Sequence, residues 1–275
     1  MVIIIQCRDR VGLVAAITSV LAKADFNIVS MREYVDQEEN KFFARIVVDD
    51  IKYLQNIEMA ITKVLPPDAV VKVNPLPEKK IVVLVTKEYH CLSDILTRNH
   101  FRTLGANVQC VIGNHLDLNN ITELFNIPFH LVSHENKSKE DFEAELTNII
   151  LPYKPDYLIL AKFMRILSPE FITSFKLKII NIHHSFLPAF IGAYPYRQAL
   201  KRGVKIIGAT AHFVTNDLDE GPIITQKVIP VNHSFTLIDL IKAGRENETA
   251  TLAKAMQLVF EDRVLVFNNK TVVFE

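Results

Sequence analysis

The chain has 275 residues, of which 49% are apolar, and a formal net charge of zero, because 31 Lys and Arg balance 31 Asp and Glu. This composition excludes a disordered chain, and the even spread of basic residues gives no electrostatic footprint for nucleic acid or for a membrane surface. Three scattered cysteines, Cys7, Cys91 and Cys110, exclude a disulfide framework, so we expect a cytoplasmic protein in a reducing compartment.

Residues 1–75 are predicted to form a ferredoxin-like βαββαβ domain. The strand VIIIQC is followed by a helix from Val11 to about Asp25, and then by the strands FNIVSMREYV and KFFARIVV. A second helix, IKYLQNIEMAITKVL, is stopped by two prolines and leads to the strand AVVKV. The first apolar run is short and lacks a basic n-region, so we expect no leader peptide. The segment NPLPEKK suggests a linker at 76–80.

Residues 81–275 are predicted to form a second domain with a doubly wound, mostly parallel, Rossmann-like sheet, so the fold class is α/β. Its strands are the apolar runs IVVLVT, NVQCVIG, FHLVS, YLILAKF and IINIHHS, which alternate with helical stretches such as KEDFEAELTNIIL. A long helix from about Leu237 to Phe260 and the hairpin RVLVFNNKTVVF follow.

The strand IINIHHS ends in a run of polar residues, NIHHSFLP. Strand alternation predicts that Asn181, His183 and Ser185 project to one side, and that His184 projects to the other. A single polar residue at a strand end is usually satisfied by nearby backbone. Four in a row before Pro188 are harder to explain in that way, because burying each one unsatisfied costs about 1–3 kcal/mol. We therefore expect a ligand at this strand end.

A second polar segment, HFVTNDLDEGPI, contains Asp217, Asp219 and Glu220. Acidic residues in loops are usually solvated, but here Gly221 and Pro222 restrict the loop, so we expect at least one acid to point inward. Together the two segments offer an amide, an imidazole and a carboxylate. This set suits a reaction that polarises a carbonyl, stabilises its oxyanion and moves protons.

Nucleotide and metal sites are not indicated. None of the eight glycines lies within two residues of another, and the segment after the first strand of the second domain, TKEYHC, has none, which argues against a dinucleotide or Walker phosphate loop. Adjacent His183 and His184 are expected on opposite faces, and His130 and His134 lie in a strand-like stretch without the helical spacing of a metal pair. We therefore expect no metal and no cofactor.

These residues carry a family resemblance. Residues 81–275 resemble the folate-dependent formyltransferase fold through NIHHSFLPAF and HFVTNDLDEGPI, and LAKFMRILSP at 160–169 is similar to its folate-pocket segment. By position, the catalytic trio of that family matches Asn181, His183 and Asp219. The resemblance implies folate contacts at Phe163, Met164, Arg165, Ile166, Leu167, His184, Ser185, Gly192, Thr215 and Asn216.

Residues 1–75 resemble an ACT domain, a small regulatory module, through CRDRVGLVAAIT. The resemblance implies an amino-acid effector near Asp9, Gly12 and Leu13, and it implies a homo-oligomer, because ACT modules commonly pair through their sheets. Two positions depart from the family pattern. Tyr194 stands where the family has lysine in GAKPY, and Arg8 replaces the proline of CPDR.

Over nearly its full length the chain resembles the formyltetrahydrofolate deformylase family, whose double His replaces the His-Pro of glycinamide ribonucleotide formyltransferases. The resemblance implies hydrolysis of 10-formyltetrahydrofolate to tetrahydrofolate and formate, which would supply purine biosynthesis. TKEYHC lacks a cradle for a phosphorylated acceptor, and we expect a tRNA formyltransferase to carry a further basic C-terminal domain. Two alternatives remain open: a formyltransferase to a small amine, and a catalytically silent amino-acid-binding regulator.

Overall fold

The computed structural model describes residues 1–49, 56–74, 78–188 and 195–275. The chain divides into two compact units. The first unit comprises Met1–Pro77, Asp262–Leu265 and Val272–Glu275, and the second comprises Glu78–Glu261 and Val266–Thr271. The limits proposed from sequence, at residues 75 and 81, stay predictions, and part of the proposed linker lies outside the described residues.

The first unit contains a four-stranded antiparallel sheet with the order β2-β3-β1-β4. Its elements in chain order are β1 (Val2–Arg8), α1 (Leu13–Lys23), β2 (Ile28–Asp36), β3 (Lys41–Val48), α2 (Ile57–Val64) and β4 (Val70–Asn74). This is the predicted βαββαβ arrangement, which is thereby confirmed. The helix predicted from residue 51 is described from Asn56 onward, and its earlier residues lie outside the described part of the chain.

The core of the first unit follows from strand alternation. Along β1 the side chains of Ile3, Ile5 and Cys7 are fully buried, while their neighbours are partly exposed. Gly12 precedes α1 with φ of 88°, in the left-handed region where a side chain would be strained. A Cβ at this position would meet no atom within 4 Å, so the glycine serves the turn and not a close approach.

The second unit is built on a seven-stranded sheet with the order β11-β10-β9-β8-β5-β6-β7. Its strands are β5 (Lys79–Val85), β6 (Ala106–Gly113), β7 (Phe129–Leu131), β8 (Tyr157–Ala161), β9 (Ile179–His183), β10 (Ile206–Phe213) and β11 (Ile223–Pro230). Its helices are α3 (His90–His100), α4 (Asn119–Leu124), α5 (Lys139–Tyr153), α6 (Pro169–Ser174), α7 (Pro195–Arg202) and α8 (Leu237–Phe260), with a 3₁₀ turn at Leu116–Leu118.

The direction of the strands confirms a mostly parallel, doubly wound sheet. Strands β5 to β9 run parallel to one another, and β10 and β11 add an antiparallel edge beside β9. From β5 the chain adds β6 and β7 on one side and then returns to add β8 and β9 on the other. The order therefore reverses between β5 and β8, and in such sheets ligands bind at the carboxyl ends of the strands near this reversal.

Local sequence explains the elements that frame this edge. The run Ile81–Val85 in β5 is fully buried, as a strand covered on both faces requires. The helix α8 starts with a capping box in which the Thr236 hydroxyl accepts from the Asp239 backbone and Asp239 accepts from the Thr236 backbone. Ser138 caps α5 in the same way by accepting from the Asp141 backbone N–H.

The C-terminal strands β12 (Val264–Phe267) and β13 (Lys270–Val273) form the predicted hairpin. Its turn residues Asn268 and Asn269 both have positive φ, which asparagine tolerates well. Among the helices that the structure describes, none combines the length and the apolar character needed to cross a membrane.

Candidate active site

The neighbouring strands β9 and β10 bring two polar side chains together. These strands are antiparallel, and their register places Asn181 opposite His212 and His183 opposite Thr210. The amide nitrogen Nδ2 of Asn181 lies 3.2 Å from Nε2 of His212. Asn181 is partly buried, whereas His183 and His212 are buried. The strand end therefore presents an amide and two imidazoles to one small volume.

The loop after β10 adds a carboxylate to this group. Oδ1 of Asp219 lies 3.3 Å from Nδ1 of His183 and 3.8 Å from Nε2 of His212. The hydrogen bond with His183 lowers the pKa of Asp219 below its ordinary value, although partial burial opposes that shift. Asp219 is therefore ionised at neutral pH. The structure thus gathers Asn181, His183 and Asp219, the three residues proposed from sequence as the catalytic trio.

His212 is a fourth member of the group that the sequence reasoning did not select. Burial lowers its pKa, so the ring is neutral at pH 7. Its Nδ1 lies 2.9 Å from the carbonyl oxygen of Phe213 and donates to it, which leaves Nε2 to accept from the Asn181 amide. His212 therefore fixes the orientation of Asn181. His212 lies in HFVTNDLDEGPI, but only the register of β9 and β10 places it opposite Asn181, so the sequence alone does not indicate this contact.

Replacing His212 with phenylalanine is expected to lower kcat about fivefold with little change in KM. The ring volume is retained, but the acceptor that orients the Asn181 amide is lost, and such a hydrogen bond contributes about 1 kcal/mol. The steady-state rate of the hydrolysis that the family resemblance implies would measure the effect, with His233→Phe at an exposed position as the control. An unchanged kcat would contradict this role for His212.

His184 does not lie where strand alternation placed it. Its ring stacks on the ring of His183, with centroids 4.9 Å apart and an interplanar angle of 27°. The expected opposite orientation is wrong because β9 ends at His183, so the pleat no longer directs the residues that follow. Burial and the charge of Lys162 lower the pKa of His184 to about 4, and it is therefore neutral at pH 7.

The segment after His184 is held by the neighbouring strands. The hydroxyl of Thr210 donates to the carbonyl of Ser185 and accepts from the backbone N–H of Leu187. Gln226 donates from its side-chain amide to both Thr210 and the Leu187 carbonyl. Ser185 itself is buried. These bonds hold the backbone of residues 185–187 against β10 and β11, beside the catalytic group.

The predicted folate segment divides into core and surface residues. The side chains of Phe163 and Leu167 are buried in the core of the second unit, whereas Met164, Arg165 and Ile166 are exposed. The backbone N–H of Met164 donates to the Thr86 hydroxyl, which ties the end of β8 to the end of β5. Contacts of Phe163 or Leu167 with a ligand would therefore have to come from their backbone groups.

The other predicted binding residues lie in several places. In the loop before Asp219, the Thr215 hydroxyl donates to the Asp217 carbonyl, and Asn216 is exposed. Gly192 and Tyr194 lie outside the described residues. In the first unit, the Asp9 backbone N–H donates to the Asn40 carbonyl, and the Leu13 side chain is buried in the core. The roles of all these residues in binding stay predictions.

A second buried polar group surrounds Glu248 of α8, whose side chain is almost inaccessible. Oε2 accepts from His90 Nε2 at 2.8 Å and lies 3.2 Å from Lys162 Nζ, and Oε1 accepts from the Tyr196 hydroxyl at 2.6 Å. His90, Cys91 and Glu248 are spaced as metal ligands could be. However, the Lys162 ammonium already neutralises this carboxylate, and burial raises the pKa of the Cys91 thiol, so these residues do not favour a cation.

Glu248 also predicts a specific acid sensitivity of the fold. Hydrogen bonds and the Lys162 charge lower its pKa to about 2, against the opposing effect of burial. A carboxylate with a depressed pKa stabilises the fold above its unfolded pKa, near 4.5, and this contribution is lost as the pH falls towards about 2. The stability advantage of the wild type over Glu248→Gln should therefore shrink by roughly 3 kcal/mol between pH 5 and pH 2.

Urea unfolding of both proteins at a series of pH values would measure this difference. A difference that stays constant across the range would show that Glu248 does not titrate as the structure indicates.

Two family descriptions match the sequence. The ACT domain family matches residues 1–65, and the Formyl transferase family matches residues 79–256. Among curated proteins, the chain is 47% identical to formyltetrahydrofolate deformylase of Haemophilus influenzae, over 99% of this chain and 98% of that protein. It is 38% identical to the deformylase of Bacillus subtilis, over 99% and 93% of the two chains.

Solved structures show the same relationship. A formyltetrahydrofolate deformylase from Pseudomonas syringae pv. tomato superposes with a TM-score of 0.93 at 38% identity, covering 100% of this chain and 94% of that one. A glycinamide ribonucleotide transformylase from Symbiobacterium toebii superposes with a TM-score of 0.69 at 30% identity. That match covers 72% of this chain and 95% of the transformylase chain. With its ACT domain followed by a formyl transferase domain, the chain belongs to the formyltetrahydrofolate deformylase family.

Proposed function

We propose that the chain hydrolyses 10-formyltetrahydrofolate to tetrahydrofolate and formate, with water as the acceptor of the formyl group and without a metal or another cofactor. The observation that carries the proposal is the contact between Asp219 and His183 beside the Asn181 amide. This arrangement offers a base, a proton donor and an oxyanion donor within one group that is buried at His183 and partly buried at Asn181 and Asp219. Acyl transfer from an amide requires this set.

In the first step, the water oxygen bonds to the formyl carbon and the carbonyl electron pair moves onto oxygen. Asp219 accepts a proton from the water as this bond forms. The lowered pKa makes Asp219 a weak base, but the water becomes much more acidic as its oxygen bonds to the formyl carbon, so the transfer is favourable at that stage. The oxyanion accepts hydrogen bonds from the second N–H of the Asn181 amide and from protonated His183. Such a donor contributes about 3 kcal/mol of transition-state stabilisation.

In the second step, the tetrahedral intermediate collapses. The oxyanion re-forms the carbonyl, the bond from carbon to N10 breaks, and His183 gives its Nε2 proton to N10. Nε2 is the suitable atom, because Nδ1 is engaged by Asp219 and Nε2 is buried with no hydrogen-bond partner among the residues described. Asp219 then releases its proton to solvent, His183 Nε2 takes up a proton from solvent to restore the imidazolium, and formic acid ionises to formate.

Transfer of the formyl group to a small amine is the alternative reaction. The structural similarity to a glycinamide ribonucleotide transformylase is the observation that favours this alternative. Purified protein with 10-formyltetrahydrofolate and no amine distinguishes the two reactions. We expect multiple turnovers of formate under these conditions. Formate release that starts only when an amine is added would instead support a transferase, and no turnover with either acceptor would support a regulatory protein without activity.

We further propose a cytoplasmic homo-oligomer that supplies formate to purine biosynthesis and responds to an amino acid at its ACT domain. The positive φ of Gly12 and the open space around it leave room for a small ligand beside the loop. Thermal-shift measurements with the common amino acids test the effector, and light scattering tests the oligomer. An effector should raise the melting temperature and alter kcat or KM, and Gly12→Val should remove both responses.

A further inference from the structure

Glu248 is a buried charge that the proposed reaction does not use directly. Its carboxylate is fixed by three donors from three other parts of the second unit. His90 begins α3, Lys162 follows the last residue of β8, and Tyr196 lies in the first turn of α7. A single side chain of α8 thus ties together the elements that surround the carboxyl ends of β5, β8 and β9.

Gly244 of α8 provides the space in which the Tyr196 side chain packs against this helix. A Cβ on Gly244 would lie 2.1 Å from the Tyr196 hydroxyl oxygen, so no larger residue fits there without displacing the phenol. Glycine inside a helix costs about 1 kcal/mol relative to alanine. Gly244 precedes Glu248 by four residues and therefore lies on the same face of the helix. Glycine at position 244 therefore lowers the stability of α8 at the point where Tyr196 packs against the helix.

Two aromatic contacts connect this group to the catalytic histidine. The Tyr196 ring lies 6.4 Å from the His184 ring, and the His184 ring lies 4.9 Å from that of His183. The charges of Lys162 and Glu248 both act on the His184 imidazole. His184 is thus held between the catalytic His183 on one side and the Glu248 group on the other.

We propose that Glu248 is a positioning residue for formate release: through Tyr196 and Lys162 it holds the His184 ring against His183 and so fixes the direction of His183 Nε2. This inference rests on the proposed hydrolase function. The alternative is that the group serves stability alone. That alternative explains the burial of a charge less well, because replacing buried ion pairs with well-packed apolar residues is often neutral or stabilising.

Variants of the two key residues test the proposal. Because small displacements of a catalytic group cost up to about 100-fold, we expect Glu248→Ala to lower kcat about 100-fold and Tyr196→Phe about tenfold, with KM within about threefold of wild type. Glu248→Gln keeps an acceptor for Tyr196 and should recover part of the loss. Glu246→Gln, exposed on the same helix, and Tyr34→Phe, exposed in the first unit, are the matched controls and should behave as wild type.

A double-mutant cycle separates positioning from general stability. If Glu248 acts through His184, Glu248→Gln should have little further effect on kcat in a His184→Ala background, whereas independent effects would multiply. Multiplying effects, or unchanged kcat in folded Tyr196→Phe and Glu248→Gln, would overturn the proposal. If Glu248→Gln fails to fold, the cycle between Tyr196→Phe and His184→Ala makes the same test. Absence of formate release by the wild type would instead overturn the proposed function.

Discussion

Replacing Asp219 with asparagine is expected to lower kcat for formate release by about 1000-fold, a loss typical of removing a general base. The amide keeps the shape of the carboxylate but accepts no proton from water, and it removes the negative charge that lies 3.3 Å from His183 Nδ1. The folate itself need not touch this oxygen. The dissociation constant for tetrahydrofolate should therefore change by less than about threefold, an effect smaller than 1 kcal/mol.

Asp217→Asn is the matched control, since Asp217 belongs to the same acidic loop and is exposed. This variant should keep the kcat of the wild type. Formate release and tetrahydrofolate binding measured on both variants separate chemistry from affinity. Wild-type turnover in Asp219→Asn would remove this carboxylate from the mechanism, whereas an equal loss in both variants would point to a general effect on the loop.

The fold followed from the sequence because its signals are local. Alternation in β1 and continuous apolar runs such as β5 are set by which faces are buried, and this is visible in the residues themselves. The projection of Asn181 and His183 to the same side of the strand was predicted in the same way, because both residues lie within β9. Within one continuous strand or helix, the periodicity of the sequence predicts which side chains share a face.

The parts of the site that escaped prediction depend on contacts between elements. His184 lies one residue beyond β9, where alternation no longer applies, and its stacking on His183 is set by packing around it. His212 meets Asn181 only through the register of two antiparallel strands. Glu248 lies 86 residues after Lys162 and reaches it through the fold. No spacing in the sequence predicts contacts of this kind between residues of different elements.

The loop that carries Asp219 shows how backbone geometry completes the site. Asp219 has φ of 58°, in the left-handed region that residues other than glycine, asparagine and aspartate seldom adopt. Two residues later, Gly221 lies against the end of β10, where the Phe213 backbone N–H donates to the Pro222 carbonyl at 2.9 Å. The turn that directs Asp219 at His183 therefore depends on how closely Gly221 can approach β10.

Replacing Gly221 with alanine is expected to reduce kcat at least about 100-fold and to destabilise the fold by about 3 kcal/mol. An added Cβ would lie 1.8 Å from the Phe213 carbonyl oxygen and 3.4 Å from Nδ1 of His212. A backbone carbonyl within a sheet cannot move away as a flexible side chain can, so the loop itself must shift. That shift would carry the Asp219 carboxylate away from His183.

Gly203→Ala is the control for this prediction. Gly203 has φ of 64° and open space around its Cβ position, so alanine there adds backbone strain of about 1 kcal/mol without any clash. Urea unfolding and formate release on both variants compare the two effects. If Gly221→Ala keeps wild-type kcat, the close approach to β10 does not set the position of Asp219. If Gly203→Ala loses as much activity, strain anywhere in the second unit would explain both results.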